Sequence, residues 1–215
     1  CCSVVVVRSS SIITKERKTS SCFRRFADSS HTLNVSFLKM SEDENEGLSH
    51  IVIDNGSYNV KVGYAGYDNP TLELRNVIGR DMEDASVIVG GDAEKYALDK
   101  KRKIDLTYPV KKGIVTEDSD VLEKLYSFIF YNELKVAPEE HAIMHCVADL
   151  NPHASVENVA KTCFETFSVP AYYHNYTGVL DTYAYGKTSG LAISCGYDTT
   201  RTSIVYEGYS LPHCT

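Results

Sequence analysis

From Leu48 onward the spacing of apolar and polar positions predicts a run of short strands, and then a change to helical period. LSHIVIDNG at 48–56 reads as a strand closed by Asn55-Gly56, a pair that accepts the positive φ of a tight hairpin turn. NVKVGYAG at 59–66 returns with Val60 and Val62 on one face and Lys61 on the other, and TLELRNVIG at 71–79 adds a third strand with Leu72, Leu74 and Val77 inward. Three short strands in a row predict an antiparallel meander. The polar stretch 80–107 predicts a short strand and a short helix, and DLTYPVKKGIV at 105–115 is turn-like around Pro109. From Thr116 the period lengthens. Val121, Leu122, Leu125, Phe128 and Ile129 fall on one helical stripe behind acidic residues that suit a helix N-terminus, with Thr116 or Asp118 as the cap. HAIMHCVAD at 141–149 reads as a buried strand, Ser155 opens a second helix that ends by Pro170, AYY at 171–173 is a brief strand, and TGVLDTYAYG at 177–186 is a third helix stopped by Gly186. Two further β-type runs, 190–194 and 202–206, flank a second hairpin. Strands followed by βα units predict an α/β class with helices on a mixed sheet.

Composition changes this picture little. The 215 residues suffice for one core or for a domain plus part of another. The net charge of -7, from 22 basic and 29 acidic residues, gives no basic face for nucleic acid, and KKRK at 100–103 reads as a solvated loop or helix end. Seven cysteines without regular spacing give no disulfide framework or paired metal motif, so reduced thiols in a cytosolic protein are expected. VVVV at 4–7 is far shorter than a bilayer span, so no membrane partner is expected. Residues 1–47 are Ser-rich and then acidic, and read as a disordered or poorly packed extension in which HTLNVSFLKM at 31–40 makes one strand or a short helix. His141, His145 and Cys146 lie on a strand where they would not converge on a metal. His174 and His213 have no evident nucleophile, and the tyrosines read as packing.

The candidate chemistry lies in the two hairpins. VIDNGSYNVK and AISCGYDTTR share an apolar pair, a polar pair, Gly, several polar residues and a base. Two such turns facing each other can present N–H groups and hydroxyls to both sides of a phosphate chain. A strand-end carboxylate would hold hydrated Mg²⁺, and a lysine would reach the terminal phosphates. The first hairpin has these parts in Asp54, Asn55, Gly56, Ser57 and Lys61; an ordinary exposed turn is the alternative reading of the same residues.

Several longer blocks resemble actin: VIDNGSYNVKVGYAG at 52–66, IGR at 78–80, YPVKKGI, FYNELKVAPEEH at 130–141, LNPHA at 150–154, FETFSVPAYY at 164–173 and IVYEGYSLPH at 204–213. The resemblance runs over about 50–213 and, set against an actin, corresponds to its N-terminal half only. It implies an α/β fold of the actin-like ATPase (ribonuclease H-like) type: a first lobe at 48–189, a shortened subdomain around 76–107, and the opening strands of a second lobe at 190–215. It implies ATP and Mg²⁺ as cofactors, with Asp54 organising the metal's water shell. Asn55, Gly56, Ser57, Tyr58 and Lys61 form the first phosphate turn, and Gly196 and Thr200 lie on the second. Tyr58 replaces a glycine. On the second turn Ser194, Cys195, Tyr197 and Asp198 stand where the family has aspartate, serine, aspartate and glycine. Arg201 and Thr177 replace the histidine and glutamine that order the attacking water, and Lys112 stands in the place of a methylated histidine. No catalytic residue is therefore assigned.

The implied function is a divergent actin-like cytoskeletal protein of the cytoplasm, binding ATP and Mg²⁺ with impaired or absent hydrolysis. The alternative is an interaction protein without nucleotide, and an active phosphotransferase ranks last. Actin or actin-binding proteins are the implied partners. Self-polymerisation is not expected, because only DMEDASVI separates IGR from VGG, where actin has a longer subunit-gripping loop. If 1–215 is a complete product, the runs at 190–194 and 202–206 lack a covering sheet, and poor solubility or a permanent partner is expected.

Overall fold

The computed structural model of the chain describes residues 4–8 as backbone, 50–99 and 102–215. Its strands are β1 (Val4–Arg8), β2 (Ile51–Asn55), β3 (Asn59–Tyr64), β4 (Leu72–Arg75), β5 (Ile78–Asp81) and β6 (Val87–Val89). Helix α1 (Gly91–Leu98) is followed by β7 (Ile104–Thr107), β8 (Val110–Lys111), β9 (Ile114–Val115) and α2 (Ser119–Ser127). The remainder is β10 (Ile143–Val147), α3 (His153–Lys161), β11 (Tyr172–Tyr176), α4 (Thr177–Ala184), β12 (Gly190–Cys195), β13 (Thr200–Tyr206) and β14 (Tyr209–Ser210).

The expected meander is present and forms half of a five-stranded sheet in the order β11-β10-β2-β3-β4. β2, β3 and β4 pair antiparallel, while β10 joins β2, and β11 joins β10, in parallel. Parallel neighbours need crossovers, and α3 supplies the one between β10 and β11. β10 is flanked by strands on both edges and is buried at all five positions, as its unbroken apolar run requires. A second sheet has the order β1-β12-β13-β14, and a third, β6-β5-β7, carries α1. The expected extension at 1–47 lies outside the described residues except for β1.

The main core forms where α2 and α3 cover the five-stranded sheet: Ile51, Ile53, Val60, Val62, Leu122, Leu125 and Ile129 are fully buried there. Asp118 caps α2 by accepting from the Asp120 amide at 3.1 Å. The helical stripe differs from the expected one. Tyr126 and Phe130 are fully buried against Phe167 and Val121 only borders the core, and after Ser127 the helix widens into a π-type segment, Phe128–Leu134. Helix α3 starts two residues before Ser155. The Ser155 hydroxyl donates instead to the Val115 carbonyl, 2.8 Å away, because that carbonyl is buried and needs a donor.

The turn after β2 is also a correction. Asn55 and Gly56 are not among the described positive-φ residues. Gly56 is required for space, since a Cβ there would sit 2.7 Å from the Asn59 carbonyl oxygen. Tight turns with two positive φ values occur instead in the β8–β9 hairpin, at Lys112 (53°) and Gly113 (70°), and in the β13–β14 hairpin, at Glu207 (47°) and Gly208 (85°).

Candidate functional site

The two hairpins turn toward each other, and they are built alike. Their last register pairs, Asn55↔Val60 and Cys195↔Thr200, enclose the same length of chain, and behind them stand Asp54↔Lys61 and Ser194↔Arg201. Asp54 is desolvated, which raises its pKa against the pull of Lys61; Glu73, the register partner of Lys61 on β4, raises it further.

Asn55 does not face the gap. It is buried, donating to the Tyr126 hydroxyl at 3.3 Å and accepting from Asn76 Nδ2 at 2.9 Å. Asn76 also donates to the Gly56 carbonyl at 2.7 Å and through its amide to the Tyr58 carbonyl at 2.9 Å. Arg75 adds a bond from Nη1 to that same carbonyl and pairs with Glu94 at 2.8 and 3.2 Å. The first turn is thus held from below by Arg75 and Asn76, residues that sequence reading did not single out.

Across the gap, the Tyr58 and Tyr197 rings meet with centroids 4.8 Å apart. The Arg75 guanidinium lies 3.5 Å above Tyr58 and 6.0 Å from Tyr197, a cation against two π faces. The polar groups nearest the gap are engaged as well, all on the 112–113 turn. Ser57 Oγ accepts from the Gly113 amide at 3.1 Å, and Asp198 Oδ2 accepts from the Lys112 amide at 2.9 Å. Arg201 Nη2 donates to the Lys112 carbonyl at 2.8 Å, and Asn151 Nδ2 to the Gly113 carbonyl at 3.2 Å. Gly113 has to be glycine: its φ is positive, and a Cβ would collide with the Arg201 guanidinium. Gly196 and Thr200 sit exposed on the second turn, with the Gly196 amide donating to the Thr199 carbonyl at 2.9 Å.

At the start of α4, the Thr177 hydroxyl donates to the Val147 carbonyl at 2.9 Å. Asp149, 3 % exposed, accepts from the Gly178 amide at 3.0 Å and from the Ser210 hydroxyl at 3.2 Å, tying α4 to β14. Its signal in the sequence was an acidic residue closing a buried strand, HAIMHCVAD. Asp181, one turn further along α4, is pushed up to about 7 by burial first and then by Asp54 and Asp149. Among the described residues no three His, Cys, Asp or Glu side chains converge to hold a metal directly. His145 is buried beside Tyr172, its Nδ1 3.0 Å from the phenol oxygen, and burial followed by His174 lowers it to about 4. It is a packed neutral imidazole. A separate concavity of about 410 Å³ lies between the β5–β7 sheet and the start of α2, lined by Arg80, Asp105, Thr107, Asp118 and Lys124.

Antiparallel strands β4-β3-β2 continued by parallel β10 and β11, with packed helices and a second sheet opening on a matching hairpin, define an actin-like, ribonuclease H-like ATPase fold. The chain belongs to the actin family: the family model described as Actin matches residues 45–215. That match overturns the expectation of a resemblance limited to about 50–213 and to one half of an actin, since it covers most of the chain and begins inside the stretch set apart as an extension.

The family fold is consistent with nucleotide binding in general. The residues of this site, as arranged here, do not fit ATP and Mg²⁺. The Ser57 hydroxyl and the Arg201 guanidinium are bound to the 112–113 turn, Asn55 points into the core, and two tyrosine rings stand between the turns.

Proposed function

We propose that this actin-family protein is cytoplasmic and cytoskeletal, and that it acts through its surface and not by ATP hydrolysis, its two phosphate turns being latched together at rest. The observation that carries this reading is the Tyr58–Tyr197 contact under Arg75, joined by the bonds of Ser57, Asp198 and Arg201 to Lys112 and Gly113. ATP and Mg²⁺ belong, in this proposal, to an unlatched form in which Asp54, Gly56, Ser57 and Lys61 face the phosphates with Gly196 and Thr200 opposite. Hydrolysis is absent even there. Ser194 brings no carboxylate to the metal, and the Thr177 hydroxyl is committed to Val147, so no group orients a water for in-line attack. The proposed organisation is a first unit at 48–189 and the opening of a second at 190–215. Actin or its binding proteins are the proposed partners. Among the described residues no helix is long and apolar enough to cross a membrane.

Equilibrium dialysis with labelled ATP, with and without Mg²⁺, tests the latch. The unaltered chain is expected to bind no tighter than about 1 mM. Tyr58→Gly combined with Tyr197→Gly should tighten binding about tenfold, a gain of ~1.4 kcal/mol, and Lys61→Ala should abolish that gain. Micromolar Mg²⁺-dependent uptake by the unaltered chain, or phosphate release by either form, defeats the proposal. In a pelleting assay the protein should sediment with added actin filaments and not without them; indifference to actin removes the partner assignment.

A further inference from the structure

The small sheet β6-β5-β7 has two faces, and α1 covers one of them. Gly79 is turned to that helix: a Cβ there would lie 2.9 Å from the Ala93 Cβ and 2.8 Å from the Ile104 side chain. Strand alternation therefore turns Ile78 and Arg80 to the other face, and register sets Val87 on one side of Arg80 and Asp105 on the other. That second face is not packed against its neighbour. The concavity of about 410 Å³ lies over it, and the first turn of α2 forms the opposite wall.

The charges around this hollow are unevenly engaged. On the α2 wall, Asp118 accepts from the Asp120 amide at 3.1 Å, and the Asp120 carboxylate accepts from Lys124 Nζ at 3.3 Å. On the sheet wall, Arg80 and Asp105 stand directly opposite each other in the ladder, where opposite charges ordinarily pair. Neither side chain makes a hydrogen bond or an ion pair with any described residue. One uncommitted cation and one uncommitted carboxylate thus border a space whose remaining lining includes Ile78, Val87 and Val121.

We propose that this hollow binds a small aliphatic zwitterion, an amino acid of the leucine type. Its carboxylate lies on the Arg80 guanidinium, which can take it through two parallel N–H bonds, and its ammonium lies on Asp105. Its branched side chain covers Ile78, Val87 and Val121. A simple anion would meet Asp105, Asp118 and Asp120, and a simple amine would meet Arg80 and Lys124, so a ligand carrying both signs is the one that escapes repulsion. Each exposed ion pair alone is weak because water screens it. Two adjacent pairs with an apolar contact, in a cavity of the size that holds small ligands, give a specific site. The assignment does not depend on the latch between the hairpins, since none of these residues touches either turn.

Calorimetric titration of the full chain tests it. L-leucine should bind with a Kd below about 1 mM, and isopentylamine and 4-methylpentanoate, which each lack one charge, about tenfold more weakly. Arg80→Gln should reduce leucine to the level of the amine, and Asp105→Asn to the level of the acid; both positions are exposed, so neither change threatens the fold. No binding up to about 10 mM leucine overturns the proposal. So does an affinity for isopentylamine equal to that for leucine and untouched by Arg80→Gln, which would make the hollow an acidic patch only. By hydrogen exchange, leucine should slow 104–107 about threefold and leave 51–55 and 190–195 unchanged. Protection at the hairpins in place of 104–107 would put the ligand in the cleft and defeat the assignment.

Discussion

Asp181 lies in the field of two other carboxylates, Asp54 and Asp149, with little water to screen them. Its folded pKa of about 7 stands above the ordinary 3.8, so the folded state holds a proton that the unfolded chain releases. Stability from this group is full below pH 4 and is lost as pH rises toward 7. His145 has the opposite sign: lowered from 6.5 to about 4, it makes stability fall as pH drops through that window. The two windows overlap, so between about 4 and 6.5 the two contributions offset each other, and the loss from Asp181 shows alone only as pH rises from 6.5 toward 7. Asp181→Asn should raise stability, and with it Tm, at pH 7.5 by about 1–2 kcal/mol of unfolding free energy after allowing for partial exposure, and change little at pH 4.5. Thermal melts across pH 4–8 check this; an equal shift at both ends would mean that packing and not charge is responsible.

At the scale of elements, α4 meets β13 at Gly178, where a Cβ would lie 2.6 Å from Ser203 Cβ. A glycine-to-alanine change inside a helix ordinarily stabilises by about 1 kcal/mol. Here Gly178→Ala should destabilise by about 1–3 kcal/mol through overpacking. Denaturant melts of Gly178→Ala, Ser203→Gly and the double variant check it, since the second change should recover much of the loss. This contact also marks where the sequence stops being legible. Strands β2–β4 and β10–β13 and helices α2–α4 followed from local period, whereas β7–β9 lie where a turn-like stretch was expected, and of the two candidate caps Thr116 and Asp118 it is Asp118 that caps α2. The π-type turn after Ser127 did not follow from period, because the inward roles of Tyr126 and Phe130 are set by Phe167 packing across from them. Asn55-Gly56 was correctly placed at a hairpin, yet the reason for the glycine is a carbonyl three residues on, and the asparagine's partners are Tyr126 and Asn76.

Across the whole molecule, Lys112 and Gly113 connect to both hairpins and so couple the two large sheets. Sequence reading marked Tyr58, Tyr197, Asp198, Arg201 and Lys112 one by one as departures from the family it resembled. That all five assemble around one gap depends on chain separations no local pattern encodes. Arg201→Ala removes the bond to the Lys112 carbonyl and should cost about 1 kcal/mol, or ~2–4 °C in Tm, while increasing hydrogen exchange at 110–115. Exchange limited to 196–201 would show that the two turns are not linked through this segment.

The ring pair at the mouth of the cleft has an optical consequence. The chain contains fifteen tyrosines and no tryptophan, so its near-ultraviolet emission comes from phenols alone. Two of them sit tilted against each other beside a guanidinium, in an asymmetric setting that separation would erase. Opening is therefore visible without any label as a change in near-ultraviolet circular dichroism, and the protein carries its own gauge of whether the cleft is shut.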